Sequence, residues 1–244
     1  MAVHNPIEGM RGACLLVLNS QLYGLETVIK AKWRDFAVHV CVDGGANTLF
    51  DAMDITERST HIPTYVCGDL DSIRPEVLQF YQQKGSKMVQ LPDQNATDFT
   101  KTLNYLMEQE IVSENQFSSV YALNALWGRF DQTLGNVSTL YAFASTYDIP
   151  IYLLSENSLV FLLQSGFHII KVDTGFEEGH CGLVPVGLAC KSCSTTGLVW
   201  NLEHSSMEMG KLTSTCNLLQ KGATEVTVET SDPVLWTMSH TLVS

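Results

Sequence analysis

The stretch TYVCGDLDSIRPE, from Thr64 to Glu76, contains the unit on which the first half of the chain is built. An apolar run ends at Gly68, two carboxylates follow at Asp69 and Asp71, and the next residues predict a turn that leads into a helix. Two like charges on one tight turn repel each other, and the pKa of at least one carboxyl rises unless a cation lies between them. The stretch therefore predicts a strand–turn–helix unit whose turn is a candidate cation site.

The same alternation runs through the first 155 residues. Helical patterns are clearest over 75–84, 98–110 and 132–146, and the second of these places Phe99, Leu103 and Leu106 on one face. Alternating strands and helices predict a parallel sheet that is covered by helices on both sides. In such a sheet, ligands bind beyond the carboxyl ends of the strands. The predicted strands are 13–18, 36–42, 63–67, 87–91, 118–126 and 150–154.

The pattern changes after residue 155. Short β-rich runs, separated by Gly, Ser and Asn, replace the helical periodicity and predict an all-β sandwich or roll. We therefore predict an α/β class with two domains. A parallel α/β domain that binds nucleotide and metal would span 1–155, and a β-sandwich domain would span 156–244.

Composition narrows the class of function. The formal net charge of −12 argues against a nucleic-acid surface or an anionic membrane surface, which would need a basic patch. The sequence has no apolar run of about 20 residues and no signal-peptide pattern, so we expect no membrane partner. The seven cysteines are scattered, which is typical of reduced thiols, and we expect a cytoplasmic protein.

Polar clusters directly follow four of the predicted strands. Because parallel strands end at the same edge of a sheet, the clusters are predicted to converge there. Each cluster also has a simpler interpretation. The glycines could serve merely as a turn, Thr97 could serve merely as a helix cap, and Arg129 and Asp131 could form a solvated ion pair. The clusters contain Asp43, Gly44 and Gly45; Asp69 and Asp71; Gln94, Thr97 and Asp98; and Arg129 and Asp131.

The spacing of Asp69 and Asp71 suits Mg²⁺, which takes one or two carboxylates together with water and substrate phosphates. Asp98 is a candidate third ligand. Arg129 has the planar fork that binds phosphate, and the amides of the two glycines could approach phosphate oxygens. The sequence contains neither GxxxxGK[ST] nor GxGxxG, so these residues indicate phosphoryl transfer without a standard phosphate loop.

Six motifs resemble, in content and in order, those of the eukaryotic thiamine pyrophosphokinase family. This resemblance implies a nucleotide-binding α/β domain followed by a β-sandwich. It also implies transfer of pyrophosphate from ATP to the hydroxyethyl group of thiamine, giving thiamine diphosphate and AMP, in a homodimer whose active site lies between subunits. The motifs are CVDGGAN (41–47), GDLDSIRPE (68–76), PDQNATDFTK (92–101), GRFDQ (128–132), TTGLVWNL (195–202) and VTVET…PVLWTM (226–238).

The resemblance assigns roles to residues of both halves. It implies that Asp69, Asp71 and Asp98 bind Mg²⁺ and that Asp43 is a further acid near the phosphates. An alcohol that attacks a metal-activated phosphate can react without a strong base, and where a base acts, Asp71 or Asp98 is the candidate. Gln94 and Thr97 would lie close to the reacting groups, and Arg129 and Asp131 would contact the nucleotide phosphates or order their loop. In the second half, the implied thiamine contacts are Trp200 of the partner subunit, Ser214 and Asn217.

Trp127 and Cys216 are among the chain's departures from the family pattern. Trp127 stands in a run that is usually glycine-rich, and Cys216 replaces a serine next to Asn217. Both changes alter pockets and leave the carboxylates in place. Two alternatives therefore stay open: a magnesium-dependent phosphotransferase or hydrolase with another substrate, and a catalytically idle thiamine-binding relative.

Overall fold

The computed structural model describes residues 1–111 and 117–242, which form two β-sheets and five α-helices. The helices are α1 (Leu25–Lys32), α2 (Gly45–Ala52), α3 (Pro75–Gln83), α4 (Asp98–Leu106) and α5 (Phe130–Ala144). The strands of the first half are β1 (Ala2–His4), β2 (Cys14–Val17), β3 (Val38–Val42), β4 (Tyr65–Gly68), β5 (Lys87–Gln90), β6 (Val120–Leu123) and β7 (Ile151–Leu154). Those of the second half are β8 (Ser158–Leu163), β9 (Gly166–Lys171), β10 (Glu177–Val184), β11 (Cys190–Thr196), β12 (Ser205–Met207), β13 (Ser214–Leu218), β14 (Glu225–Thr230) and β15 (Val234–His240).

The six predicted strands correspond to β2–β7, and the three predicted helices correspond to α3–α5. The helix predicted over 98–110 is an α-helix only to Leu106 and continues as a π-helical turn over Met107–Ile111. Strands β2–β7 are parallel, in the order β5-β4-β3-β2-β6-β7. The predicted fold class, a parallel α/β domain followed by a strand-rich domain, is confirmed.

Both faces of the parallel sheet are buried, as continuous apolar strands require. In β2, Leu15 and Val17 belong to the core that contains α1, α2 and α3, whereas Leu16 belongs to the core that contains α4 and α5. The strands therefore end between two helical layers, and their carboxyl ends are free to carry a site.

The strand order reverses between β2 and β6. From β2 the chain builds outward through β3, β4 and β5, and it then returns to place β6 on the opposite side of β2. The loops after β2 and β6 diverge there, which opens a crevice at the carboxyl ends of the strands.

The second half continues the first sheet and adds another. Strand β8 pairs antiparallel with β7, and β15, β10 and β13 extend this sheet to ten strands. A five-stranded sheet, in the order β1-β9-β14-β11-β12, packs against the extension. Leu183 and Trp236 of one sheet share a buried core with Ile170 and Val228 of the other, as in a sandwich.

The N-terminal strand β1 lies in the five-stranded sheet, paired parallel with β9. His4 of β1 is buried and lies 3.0 Å from His168 of β9, between Nε2 and Nδ1. Residues 2–4 therefore belong to a sheet of the sandwich, a pairing that the sequence did not predict. We keep the division at residues 155/156 as a proposal.

None of the helices formed by the described residues is long and apolar enough to cross a membrane. None of the seven cysteines, all within the described ranges, forms a disulfide bond, and Cys216 is exposed whereas the others are buried.

Candidate active site

Three carboxylates from three successive strand–helix connections meet at the carboxyl edge of the sheet. Asp43 follows β3, Asp69 follows β4 and Asp98 begins α4, and one oxygen of each lies within 4.8 Å of the others. Asp43 and Asp69 are brought together by a hydrogen bond from the Asp43 amide to the Cys67 carbonyl, 2.7 Å. We call these residues the carboxylate cluster.

Asp43 is the most deeply buried member of the cluster, at 5% exposed. Its backbone has a φ of +44°, and its Oδ1 is buried without a hydrogen-bond partner within residues 1–111 and 117–242. Burial of an unpaired carboxylate oxygen is costly, so such groups in folded proteins are usually paired or bind metals. Oxygen-only donors around this atom suit a hard divalent cation.

Asp69 is held by one donor from its own turn and one from the loop after β5. Its Oδ1 accepts the backbone N–H of Asp71 at 3.3 Å, and its Oδ2 accepts the side-chain amide of Gln94 at 3.4 Å. Burial opposes ionisation, but these hydrogen bonds and the charge of Lys101 together hold the pKa of Asp69 below its usual value. Asp69 is therefore a charged acceptor.

Lys101 is a functional candidate that the sequence reasoning missed. Its ammonium lies 2.8 Å from Asp98 Oδ1 and donates to the Leu91 carbonyl at 3.1 Å, and its side chain is only 6% exposed. The available signal was the spacing in TDFTK, where the lysine follows Asp98 by one helical turn. The buried cation holds Asp98 against the end of β5.

Asp71 lies outside the carboxylate cluster and is exposed. Its Oδ1 accepts the hydroxyl of Ser72 at 2.9 Å. Leu70, between the two aspartates, has a φ of +67°. The two acids of the turn therefore lie in different environments, and a role for Asp71 as a metal ligand stays a prediction.

Glycines make the close approach of the strand ends possible. A Cβ at Gly45 would overlap the carbonyl oxygen of Val17, so α2 packs directly on the end of β2. Gly68 has a φ of +143°, and its Cβ would lie 2.9 Å from Asp43 Cβ and 3.2 Å from Asp98 Oδ1. Gly44 lies beside the side chain of Asn19. The predicted contact of the Gly44 and Gly45 amides with phosphates stays a prediction.

A cavity of about 360 Å³ opens beside the cluster. Its walls include Asp43, Asp98, Thr97 and Trp127. Thr97 caps α4 by accepting the Thr100 amide at 3.2 Å, so its capping role is confirmed, and the residue also lines the cavity. Several of the predicted site residues thus line one cavity, and its use by a phosphorylated ligand stays a prediction.

Arg129 and Asp131 lie where the loop after β6 enters α5. The guanidinium donates to both carboxylate oxygens, and the pair is largely exposed. The hydrogen bond from Arg129 lowers the pKa of Asp131. This arrangement fits the solvated ion pair foreseen from the sequence, and a contact with nucleotide stays a prediction.

The predicted thiamine residues form a second group on the sandwich. Buried Asn217 donates to the Trp200 carbonyl at 2.8 Å and to the Ser214 hydroxyl at 3.1 Å, and it accepts the Trp200 amide at 3.2 Å. The Trp200 side chain is 59% exposed, so it is not a core residue. Cys216, beside Asn217, has a φ of +58°. Among the described residues, the lining of the carboxylate cavity contains none of these four.

Both halves of the chain match models of known protein families. The family described as "Thiamin pyrophosphokinase, catalytic domain" matches residues 29–153, and "Thiamin pyrophosphokinase, vitamin B1 binding domain" matches residues 167–235. The chain belongs to the thiamin pyrophosphokinase family. The catalytic-domain match contains the carboxylate cluster, and the vitamin B1 match contains Trp200, Ser214 and Asn217.

Relatives of the thiamin pyrophosphokinase family match over nearly the whole chain. Thiamine pyrophosphokinase 3 of Oryza sativa subsp. japonica is 38% identical over 235 residues, 92% of this chain and 86% of the relative. Thiamine pyrophosphokinase 1 of Arabidopsis thaliana is 34% identical over 235 residues, which cover 92% of this chain and 85% of the relative. The solved structure of thiamin pyrophosphokinase from Candida albicans has a TM-score of 0.87 at 27% identity and covers 98% of this chain and 93% of that one.

Proposed function

We propose that this protein is a thiamine diphosphokinase, which transfers pyrophosphate from ATP to the hydroxyethyl group of thiamine and gives thiamine diphosphate and AMP. Membership of the family supports the reaction class. The structural observation that carries the proposal is the unpaired, buried Oδ1 of Asp43 beside the carboxylates of Asp69 and Asp98. Oxygen donors of this kind, at the wall of a ligand-sized cavity, suit a metal-dependent nucleotide enzyme.

The donor set fits Mg²⁺, which Asp43, Asp69 and Asp98 would hold, with Asp71 as a further ligand. When bound, Mg²⁺ would neutralise charge on the phosphates of ATP. Lys101 fixes Asp98, and Gln94 fixes Asp69, so the chain itself orients two of the carboxylates. Arg129, with its partner Asp131, supplies a cation at the entrance of α5 for the nucleotide phosphates.

In the proposed reaction, the hydroxyl oxygen of thiamine attacks the β-phosphorus of ATP in line with the leaving group. The new O–P bond forms while the bond from the β-phosphorus to the oxygen of the α-phosphate breaks, and AMP leaves with the electron pair. Asp71 is the candidate acceptor for the hydroxyl proton, because it is exposed whereas Lys101 holds Asp98. Thr97 lines the same cavity.

The thiamine site needs a second copy of the chain in this proposal. Trp200 presents an exposed indole on the sandwich, and a flat cationic ring binds favourably against indole. Ser214 and Asn217 fix the backbone around it. We propose a homodimer, in the cytoplasm, in which Trp200 of one subunit faces the carboxylate cavity of the other.

The test is product analysis with purified protein, Mg²⁺, ATP and a panel of alcohols that includes thiamine. We expect AMP and thiamine diphosphate in equal amounts, and no AMP without an acceptor. AMP or phosphate released without thiamine would favour the hydrolase alternative, and transfer to another alcohol would favour a different phosphotransferase. Thiamine binding without AMP release would favour the idle relative.

A further inference from the structure

Two aromatic side chains meet across the crevice where the strand order reverses. Tyr23 lies in the loop after β2, and Trp127 lies in the loop after β6. Their ring centroids are 4.5 Å apart with an interplanar angle of 48°, yet the residues are 43% and 47% exposed. Because both residues are partly exposed, the pair leaves aromatic surface available to a ligand.

The pair lies beside the carboxylate cavity. Trp127 lines the cavity that contains Asp43 and Asp98, and Tyr23 lines an adjoining cavity that shares Asn19 and Ser20 with it. Open α/β sheets bind their ligands in the crevice at such a switch point. A ligand whose phosphates reach the carboxylates can therefore extend a planar group to the indole.

The two loops are fixed relative to each other. The side-chain amide of Asn124 donates to the Ser20 carbonyl at 2.9 Å, and that of Asn136 donates to the Ala125 carbonyl at 2.8 Å. Tyr23 and Asn124 have φ values of +38° and +63°, a conformation that few non-glycine residues adopt. The aromatic surface is thus pre-organised by hydrogen bonds rather than left on a loose loop.

We propose that Trp127, supported by Tyr23, is the stacking surface for the base of the nucleotide substrate. A neutral, planar base gains from contact with an indole face, whereas a phosphate finds no donor on it apart from the ring N–H. The inference rests on the proposed function, in which the carboxylate side of the crevice receives the phosphates and Trp200 receives thiamine. Trp127 would therefore set the affinity for the base and leave the phosphate contacts unchanged.

The experiment compares Trp127→Ala, Trp127→Phe and Phe176→Ala, an exposed aromatic position outside this crevice. Calorimetry measures the Kd of a non-hydrolysable ATP analogue with Mg²⁺, and separately the Kd of tripolyphosphate, which has no base. If the base stacks on the indole, Trp127→Ala should raise the Kd of the analogue about 10-fold. We expect a change of less than about threefold for Trp127→Phe, because its ring is retained.

The tripolyphosphate affinity should be the same in all variants, and Phe176→Ala should bind the analogue like the wild type. In turnover assays, Trp127→Ala should raise the KM for ATP and leave kcat at saturation nearly unchanged. An unchanged Kd for the analogue in Trp127→Ala would overturn the proposal. An equal loss of affinity for tripolyphosphate would also overturn it, because the substitution would then have disturbed the phosphate site and not the contact with the base.

These binding measurements separate the two proposals. If the wild type binds the analogue through Trp127 but forms no thiamine diphosphate, the proposed reaction fails and the stacking role stands. If the wild type forms thiamine diphosphate while Trp127→Ala binds the analogue normally, the stacking role fails and the reaction stands.

Discussion

Replacing Lys101 with methionine tests the buried cation at the carboxylate cluster. Methionine keeps most of the apolar length of the side chain but removes the ammonium that contacts Asp98 Oδ1 at 2.8 Å and the Leu91 carbonyl at 3.1 Å. The loss leaves the Asp98 charge beside those of Asp43 and Asp69, which lie within 4.8 Å. The substitution therefore removes one cation from a cluster of three acids.

The expected loss in the free energy of unfolding depends on how far Lys101 and Asp98 are buried. Removing one partner of a fully buried pair costs about 3–5 kcal/mol, and a hydrogen bond to a charged group is worth about 1.5–3 kcal/mol. Because the Asp98 side chain is 31% exposed, water partly screens its charge, and we expect the lower value, about 2 kcal/mol. In a chain of this size, that corresponds to a decrease in Tm of about 4–8 °C.

The chain offers a matched control in Lys211→Met. Lys211 forms an ion pair with Glu208 at the same i,i+3 spacing, 2.6 Å long, but its side chain is 73% exposed. Thermal and urea unfolding of both variants in EDTA should show a clear loss for Lys101→Met and no measurable loss for Lys211→Met. The reasoning is refuted if the two variants are equally stable.

A second signature distinguishes charge from packing. Added Mg²⁺ supplies positive charge to the same carboxylates, so it should restore part of the stability lost in Lys101→Met. A packing defect alone would persist at any Mg²⁺ concentration. Equal Mg²⁺-induced gains in the wild type and the variant would therefore contradict the assignment of Lys101 as a compensating cation.

Three other changes have defined outcomes. Gly68→Ala should lower the free energy of unfolding by about 2 kcal/mol in urea titrations, because alanine is strained at this φ and its Cβ enters the cluster. Asp71→Asn should lower kcat at least about 100-fold with little change in Tm, whereas Asp93→Asn, in a neighbouring exposed loop, should retain activity. Burial, then the neighbouring His168, lowers the pKa of His4 to about 4, so protonation disfavours the folded state, and stability should fall as pH decreases from about 6.5 to about 4.

Each of these has an opposing result. Normal stability in Gly68→Ala would mean that the strand ends are not tightly packed. Near-normal turnover in Asp71→Asn would remove this residue from the mechanism. For the histidine pair, His4→Gln should flatten the decline of stability between pH 6.5 and 4, and an unchanged slope would show that other groups cause it.

The first sheet was predictable because its signals are local. Each of β2–β7 is a short apolar run followed by a polar turn, and parallel topology then brings the turns together. Asp43, Asp69 and Asp98 were therefore correctly predicted to meet at one edge. The three-residue connection between β7 and β8, Ser155–Asn157, was interpreted as a junction, although so short a link also suits antiparallel neighbours in one sheet.

Other features depend on contacts that sequence spacing does not contain. Strand β1 has three residues, and its His4 contacts a residue 164 positions away. Lys101 donates to the Leu91 carbonyl just after β5, a contact outside its own helix that spacing does not indicate. The positive φ of Leu70 separates the environments of Asp69 and Asp71, whereas spacing alone suggested that the two acids converge. The sequence placed Asp43 at this edge without assigning it as a metal ligand, and its close approach to the other two acids depends on the missing Cβ of Gly68.

The most direct test of the central claim is a Mg²⁺-dependent assay of nucleotide products with [α-³²P]ATP and thiamine. The account predicts AMP as the labelled product, formed in equal amount with thiamine diphosphate. AMP formation should be abolished when EDTA removes the metal or when Asp43→Asn removes a metal ligand. Labelled ADP, or AMP formed at the same rate without thiamine, would contradict it.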